Sequence, residues 1–113
     1  FNSVRLDKIR KAFDFKICTS MGLSEVVNFY LLRFFGMNKV STPCLQLPYY
    51  RKGFKVITPK LIKDAHRFKK KVHAWTIDDP VQMNELLDMG IDGIMTDSPK
   101  LLKSEIAKRG INI

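Results

Sequence analysis

The chain has 113 residues, a net charge of +9 at pH 7 and 45% hydrophobic residues, with two cysteines. This length and composition allow one packed core and exclude a low-complexity or disordered chain. No stretch has the composition of a linker, so the sequence predicts a single domain over residues 1–113.

The first half of the chain alternates predicted helices and strands. A helix is expected over residues 4–13, a strand over 15–20 and a helix over 24–35. A short strand follows over 44–48, and an irregular basic and aromatic segment covers 49–57. The expected apolar contacts of the first helix are Val4, Ile9, Ala12 and Phe13.

The second half repeats this alternation with clearer start signals. Thr58-Pro59 opens a helix that runs to Lys71, and Asp79-Pro80 opens another that ends at Gly90, because a cap residue followed by proline is typical of a helix start. Strands are expected over 72–77 and 91–95, and a last helix over 100–108. In the helix after Thr58, one stripe is predicted to face solvent: Lys60, Lys63, Arg67 and Lys70.

Alternation of strands and helices predicts a parallel sheet, and the number of strands limits its architecture. A closed eight-stranded α/β barrel takes roughly 250 residues. The expected fold class is therefore α/β, a partial TIM-like (β/α) barrel with about four parallel strands, corresponding to the C-terminal half of such a barrel.

Polar residues gather at the ends of the last two strands. Trp75-Thr76-Ile77-Asp78 closes the first, and the stretch from Gly90 to Pro99, which reads GIDGIMTDSP, contains the second. This pattern resembles the C-terminal signature of the glycerophosphodiester phosphodiesterase family. Weaker matches extend upstream through Thr58-Pro59, Leu45-Gln46-Leu47-Pro48 and Cys18-Thr19-Ser20 to Phe1, so the resemblance spans nearly the whole chain.

The resemblance implies a TIM-like barrel that hydrolyses glycerophosphodiesters to an alcohol and glycerol phosphate. The family uses a bound divalent cation, Mg²⁺ or Ca²⁺, and two histidines, carried by N-terminal strands. His66 and His73 are the only histidines here, and neither has the surroundings that the family uses. We therefore expect no catalytic residue and no metal ligand in this chain, and we expect the chain alone to be inactive.

The same resemblance implies a substrate-binding role for Trp75, Asp78, Asp97 and Gln46. Trp75 would cover the glycerol or alcohol moiety, and Asp78 and Asp97 would line the same rim. Many family members have Asn where this chain has Asp78. Gln46 is included because its short strand precedes the tryptophan strand.

Each of these residues also has a structural interpretation. A tryptophan on a buried strand is commonly a core residue, and Asp97 could act only as the cap of the last helix. Asp92 lies between two glycines, as turn residues do, and His73 is expected to be a hydrogen-bonded core histidine.

The expected partners are a small-molecule glycerophosphodiester or lysophospholipid and the N-terminal half of the barrel. The basic residues are scattered over several helices and match no nucleic-acid module, so nucleic acid is not expected. Peripheral membrane contact is a further hypothesis. It is based on the apolar residues 26–35 of the second predicted helix and on three aromatic residues of the 49–57 segment, Tyr49, Tyr50 and Phe54.

Three function classes follow from the sequence. The favoured one is a fragment of a phosphodiesterase barrel that supplies its substrate-facing rim. The alternatives are a noncatalytic half-barrel, whose strand edges would need covering, and a small basic α/β binding module. The localisation stays open.

Overall fold

The computed structural model describes residues 2–13, 20–35 and 42–110. The described helices are α1 (Ser3–Ala12), α2 (Leu23–Leu32), α3 (Pro59–Arg67), α4 (Pro80–Asp88) and α5 (Pro99–Lys108), with a 3₁₀ turn at Arg33–Phe35. The strands are β1 (Cys44–Pro48), β2 (Tyr50–Arg51), β3 (Phe54–Lys55), β4 (Lys71–Trp75) and β5 (Gly93–Ile94).

The main sheet has three parallel strands in the order β1-β4-β5. Gln46 pairs with His73, which in turn pairs with Gly93. The predicted parallel α/β arrangement is thus confirmed, with three parallel strands among the described residues. The other predicted strand lies outside the described residues except for Ser20, which forms an isolated parallel bridge with Cys44.

The helix starts follow the cap and proline signals of the sequence. The side chain of Thr58 accepts a hydrogen bond from the N–H of Leu61, and that of Asp79 accepts one from Val81, so both predicted caps are confirmed. The last helix differs from the expectation: its N-cap is Ser98, and Asp97 lies one residue before it.

The core lies on one face of the main sheet. Side chains alternate along a strand, and Leu45, Leu47, Val72 and Ala74 are at most 2% exposed. They pack with apolar side chains of α2, α3 and α4, including Phe29, Leu61, Ile62, Met83 and Leu86. Full burial of one such large side chain contributes roughly 1.5–3 kcal/mol. The opposite face of the sheet is named here the open face; it carries Cys44, Gln46, Pro48, His73 and Trp75, which are half-buried or exposed.

The contacts predicted for the first helix are wrong. Val4, Ile9 and Phe13 are 65%, 43% and 58% exposed, whereas Arg10 is buried. Arg10 forms two hydrogen bonds with the carboxylate of Glu25, at 2.7 and 3.0 Å. A buried ion pair therefore fixes α1 on α2, and an apolar pattern could not predict that contact.

The helix after Thr58 is shorter than predicted. It ends at Arg67, and Lys69 has a positive φ of 58° that turns the chain into β4. Lys70, expected on the exposed stripe, is only 3% exposed, and its Nζ donates to the carbonyl of Thr42 at 2.7 Å.

The segment predicted to be irregular contains an antiparallel hairpin, in which Tyr50 pairs with Lys55 and Arg51 with Phe54. Its two-residue turn, Lys52-Gly53, has positive φ at both positions, 50° and 80°. Such turns favour Asn-Gly or Gly-Gly. Lysine at the first turn position therefore concealed the hairpin in the sequence. Among the described residues, no helix is long and apolar enough to cross a membrane.

Candidate functional site at the carboxyl ends of the strands

Trp75 is the last residue of β4 and lies at the carboxyl end of the sheet. The alternation that buries Val72 and Ala74 turns Trp75 to the open face, where it is 39% exposed. Its register partner in β1 is Pro48. Trp75 therefore lies outside the core that the helices cover.

Asp78 joins the ends of the last two strands. Its Oδ1 accepts a hydrogen bond from the hydroxyl of Thr96 at 2.8 Å and another from the N–H of Asp97 at 2.8 Å. The Thr96 hydroxyl in turn accepts a hydrogen bond from the N–H of Ser98 at 2.9 Å. The chain after β4 is thus fixed to the chain between β5 and α5. Trp75, Asp78, Thr96 and Asp97 are named here the rim.

Asp78 and Asp97, which are 19 residues apart in the sequence, meet at the rim, and both are exposed. The hydrogen bonds from Thr96 and Asp97 both end on Oδ1 of Asp78. An exposed carboxylate oxygen is a strong acceptor for a hydroxyl group.

Gln46 is not part of the rim. It lies in the middle of β1, half-buried, and its register partner is His73. With a rise of about 3.3 Å per residue, Gln46 lies roughly 7 Å below the level of Pro48 and Trp75. Gln46 therefore shares the open face with Trp75 but belongs to the next layer of side chains.

His73 occupies that lower layer. Its Nδ1 lies 3.4 Å from the Sγ of Cys44, and its ring covers Gly93 so closely that a Cβ at Gly93 would lie 2.7 Å from the ring's Cδ2. His73 is therefore half-buried on the open face and not in the helix-covered core. Cys44 is half-buried on the open face beside this ring, and the other cysteine, Cys18, lies outside the described residues.

An apolar groove with a volume of about 890 Å³ adjoins Trp75. It is named here the Trp75 groove, and its walls come from α2, β1, the hairpin and β4: Val26, Val27, Leu47, Pro48, Tyr50, Arg51, Val56 and Trp75. Arg51 is the basic residue among these lining side chains. The sequence interpretation missed Arg51 and Thr96, although Thr96 stands inside the quoted motif and could have been chosen for its hydroxyl.

The described part of the chain does not form a complete metal site. Within 2–13, 20–35 and 42–110, no group of three or more His, Cys, Asp or Glu side chains could hold a metal ion. A hard divalent cation takes about six or more oxygen ligands, and the exposed carboxylates of the rim are two, Asp78 and Asp97, one of which already uses an oxygen for Thr96.

The chain is similar to known proteins over most of its length. The sequence profile described as "Glycerophosphoryl diester phosphodiesterase family" matches residues 17–101. "Probable glycerophosphodiester phosphodiesterase 2" of Mycobacterium tuberculosis is 46% identical over 67 residues, which are 59% of this chain and 25% of that protein. "Glycerophosphodiester phosphodiesterase GDPD4" of Arabidopsis thaliana is 31% identical over 65 residues, or 51% of this chain and 20% of that protein.

The fold is also similar to solved structures. A crystal structure assigned as a glycerophosphoryl diester phosphodiesterase from Silicibacter pomeroyi matches with a TM-score of 0.75 and 19% identity, over 99% of this chain and 37% of that one. The chain spans about a quarter of the length of the M. tuberculosis relative. At this identity the structural match establishes the fold alone, and the fold is part of a larger barrel.

Proposed function

Because the chain belongs to the glycerophosphoryl diester phosphodiesterase family, we propose that it supplies the substrate-facing rim of a barrel that hydrolyses glycerophosphodiesters to an alcohol and glycerol phosphate. The acid/base histidines and the ligands of the divalent cation would come from parts of the barrel that this chain does not span. The observation that carries this proposal is the bonding of Asp78 to Thr96 and Asp97 beside an exposed Trp75.

The position of the rim supports this role. In (β/α) barrels the reacting groups lie at the carboxyl ends of the strands, and the opposite end mainly contributes stability. Trp75 ends β4, and Asp97 follows β5 at the same edge of the sheet. Groups that meet at this edge are placed where a barrel enzyme binds its substrate.

Trp75 would bind the carbon skeleton of the substrate. Its rigid indole presents a large apolar surface at the mouth of the Trp75 groove. A substrate lying on this surface displaces water, and electrostatic interactions strengthen where water is excluded. Trp75 therefore favours the reaction by orienting the glycerol or alcohol moiety and by keeping water away from it.

Asp78 and Asp97 would bind hydroxyl groups and not the phosphodiester itself. The phosphodiester carries a negative charge, and carboxylates close to it are unfavourable unless a cation lies between them. Hydroxyls of glycerol or of the alcohol are suitable donors to these oxygens.

The chain by itself should not turn over substrate. Phosphodiester hydrolysis needs a cationic centre at the phosphoryl oxygens and a group that protonates the leaving alcohol. We expect the isolated 113-residue chain to release no glycerol phosphate from glycerophosphocholine above the blank, with either Mg²⁺ or Ca²⁺ present. Substantial turnover by this chain would contradict the proposal.

A segment exchange tests the rim in a complete barrel. The part of the M. tuberculosis relative that aligns with this chain is replaced by the residues of this chain, and glycerophosphocholine hydrolysis is measured beside the unaltered relative. In the exchanged protein, Trp75→Ala should lower kcat/KM at least about tenfold, equivalent to roughly 1.4 kcal/mol, and Trp75→Phe should restore most of it. Asp78→Ala should lower kcat/KM by about 10–100-fold, as removal of a residue that positions site groups does.

The matched control is Asp88→Ala, which removes an exposed carboxylate on α4, where it pairs with Arg109. We expect this variant to keep kcat/KM within about twofold. A folded, active exchange protein in which Trp75→Ala and Asp78→Ala behave like Asp88→Ala would contradict the assignment of the rim.

A further inference from the structure

The hairpin β2–β3 presents an exposed aromatic side chain among basic ones. Phe54 is 78% exposed, and its neighbours Arg51, Lys52 and Lys55 are exposed as well. Arg51 lies directly opposite Phe54 in the hairpin register. An isolated exposed phenylalanine needs no explanation, but one surrounded by cations has the composition of a surface that enters the headgroup layer of a membrane.

The base of the hairpin is rigid. Tyr49 is 1% exposed, and its hydroxyl donates to the Oε2 of Glu85 at 2.7 Å; burial raises the pKa of Tyr49. The N–H of Val56 donates to the carbonyl of Tyr49 at 2.8 Å, and the hydroxyl of Tyr30 donates to the carbonyl of Val56. The base of the hairpin is therefore attached to α2 through Tyr30 and to α4 through Glu85. A hairpin with a fixed base loses less conformational entropy when it binds.

The sequence predicted membrane contact through Tyr49, Tyr50 and Phe54, and the structure removes Tyr49 from this set. Tyr49 cannot contact a membrane, because its side chain is buried and bonded to Glu85. Tyr50 is 40% exposed and packs on Tyr49 with ring centroids 4.6 Å apart. The exposed apolar contact is therefore Phe54, with Tyr50 beside it.

The hairpin is continuous with the Trp75 groove. Tyr50 and Arg51 belong to the hairpin and also line the groove, together with Pro48 and Trp75. A flat partner that contacts Phe54 and Arg51 thus also reaches the groove mouth. Trp75 is the chain's only tryptophan, so it reports such a contact directly.

We propose that the β2–β3 hairpin docks the protein on an anionic phospholipid bilayer, with Phe54 inserted between headgroups and with Arg51, Lys52 and Lys55 on lipid phosphates, so that the Trp75 groove opens toward the lipid surface. Charge complementarity supports this partner, because the hairpin is basic and the whole chain has a net charge of +9. Each basic side chain near an anionic bilayer strengthens binding about fivefold. The docking is independent of hydrolysis, since it involves only the binding surface.

Vesicle binding of the 113-residue chain tests the proposal. Its partition coefficient is measured by co-sedimentation with phosphatidylcholine vesicles and with mixed phosphatidylcholine and phosphatidylglycerol vesicles. We expect strong binding only to the mixed vesicles. Phe54→Ser should lower the partition coefficient about tenfold, and Phe54→Leu should restore most of it. The double variant Arg51→Gln/Lys52→Gln should lower it by about 25-fold.

Two matched controls distinguish binding by the hairpin from nonspecific hydrophobic adsorption and from an effect of net charge. Phe35 is also 78% exposed but lies outside the hairpin, so Phe35→Ser should change binding less than about twofold. Lys100 and Lys103 are exposed on α5, and Lys100→Gln/Lys103→Gln removes the same charge as the hairpin double variant. Equal losses in the controls and in the hairpin variants would overturn the proposal. Circular dichroism of each variant verifies that its fold is unchanged.

Trp75 fluorescence gives a second measurement. On mixed vesicles the emission of Trp75 should shift to shorter wavelength, and lipids brominated near the headgroup should quench it. Binding with unchanged Trp75 emission would show that the groove faces away from the bilayer and would overturn its orientation. Since neither measurement involves hydrolysis, a failure here leaves the proposed function untouched, and an inactive rim leaves the docking untouched.

Discussion

An aspartate joins neighbouring segments at each end of strands β4 and β5. The two aspartates differ in how many of their carboxylate oxygens have partners within the protein. At the carboxyl end, exposed Asp78 accepts hydrogen bonds from Thr96 and Asp97 through one oxygen. At the amino end, Asp92 is an exposed residue as well, but its side chain is only 17% exposed. Its Oδ2 accepts from the N–H of Val72 at 2.9 Å and lies 2.7 Å from the Nε2 of His66.

The remaining oxygen makes the difference clear. The Oδ1 of Asp92 lies 3.6 Å from the Nζ of Lys71, so both of its oxygens have partners within the protein. Burial alone would raise the pKa of Asp92, but the hydrogen bonds from Val72 and His66 and the charges of His66 and Lys71 lower it below its ordinary value. Asp92 is therefore a structural carboxylate, and Asp78 is the one that keeps acceptor capacity for a ligand.

The largest difference in stability should appear when the two carboxylates are removed in separate variants. Asp92→Ala should lower the free energy of unfolding by about 3 kcal/mol, because it removes hydrogen bonds to a charged group and leaves the Val72 N–H without its acceptor. Asp78→Ala should lower it by less than about 1 kcal/mol, because Asp78 is exposed. Urea unfolding of the 113-residue chain measures both values, and equal losses would remove the distinction between the two ends.

The layer between the two ends should be almost as sensitive. In Gly93→Ala the new Cβ would lie 2.7 Å from the Cδ2 of His73, so the ring must move. We expect a loss of about 2 kcal/mol, typical of overpacking. Adding His73→Ala should recover part of it, and thermal or urea unfolding of the single and double variants measures the coupling. If the losses of stability in the two single variants simply add in the double variant, the His73 ring is not the reason why glycine is required at position 93.

Acid should reduce the contribution of Asp92 specifically. Its folded-state pKa lies below the ordinary value of 3.8, so its stabilisation is complete above that value and is lost as the pH falls through the folded-state pKa. The stability difference between the chain and Asp92→Asn should therefore narrow as the pH falls below about 4. Urea unfolding at a series of pH values measures it. A difference that widens in acid would contradict the lowered pKa.

The smallest effect should come from Thr96→Val, which removes the hydroxyl between Asp78 and Ser98. We expect a loss of less than about 1 kcal/mol, because the bond to Asp78 is exposed and the bond from Ser98 is only partly buried, so that water replaces much of both. In the exchanged barrel, the loss of kcat/KM in the same variant, expressed as a free energy, should exceed the loss of stability. A variant that loses stability but keeps full activity would show that Thr96 does not position Asp78.

Several parts of the fold could be read from local patterns. The strand Cys44–Pro48 was predicted with the bounds that the structure has, and Asp79-Pro80 and Thr58-Pro59 marked the starts of α4 and α3. The predicted strand 91–95 is paired only at Gly93–Ile94. Its apolar composition indicated a strand. The length of a strand depends on which neighbouring strands pair with it, and the composition of one segment carries no information about that pairing.

The candidate site was predicted in part. Asp78 and Asp97 meet, and Trp75 lies exposed at the end of β4, three residues before Asp78. Gln46 falls in a lower layer. The roles of all four in binding substrate stay predictions. The buried lysine at position 70 could not be foreseen, because its acceptor, the Thr42 carbonyl, lies 28 residues away.

The sequence by itself determined the helix starts, the alternation of strand and helix, and the family, since each depends on residues close together in the chain or on a motif of fixed spacing. Only the tertiary structure decided that Asp78 and Asp97 share a hydrogen bond, that Asp92 is bonded to His66, and that Phe54 and not Tyr49 is exposed. These outcomes depend on contacts between segments about 20 or more residues apart. Such contacts form only when the sheet brings the ends of its strands together.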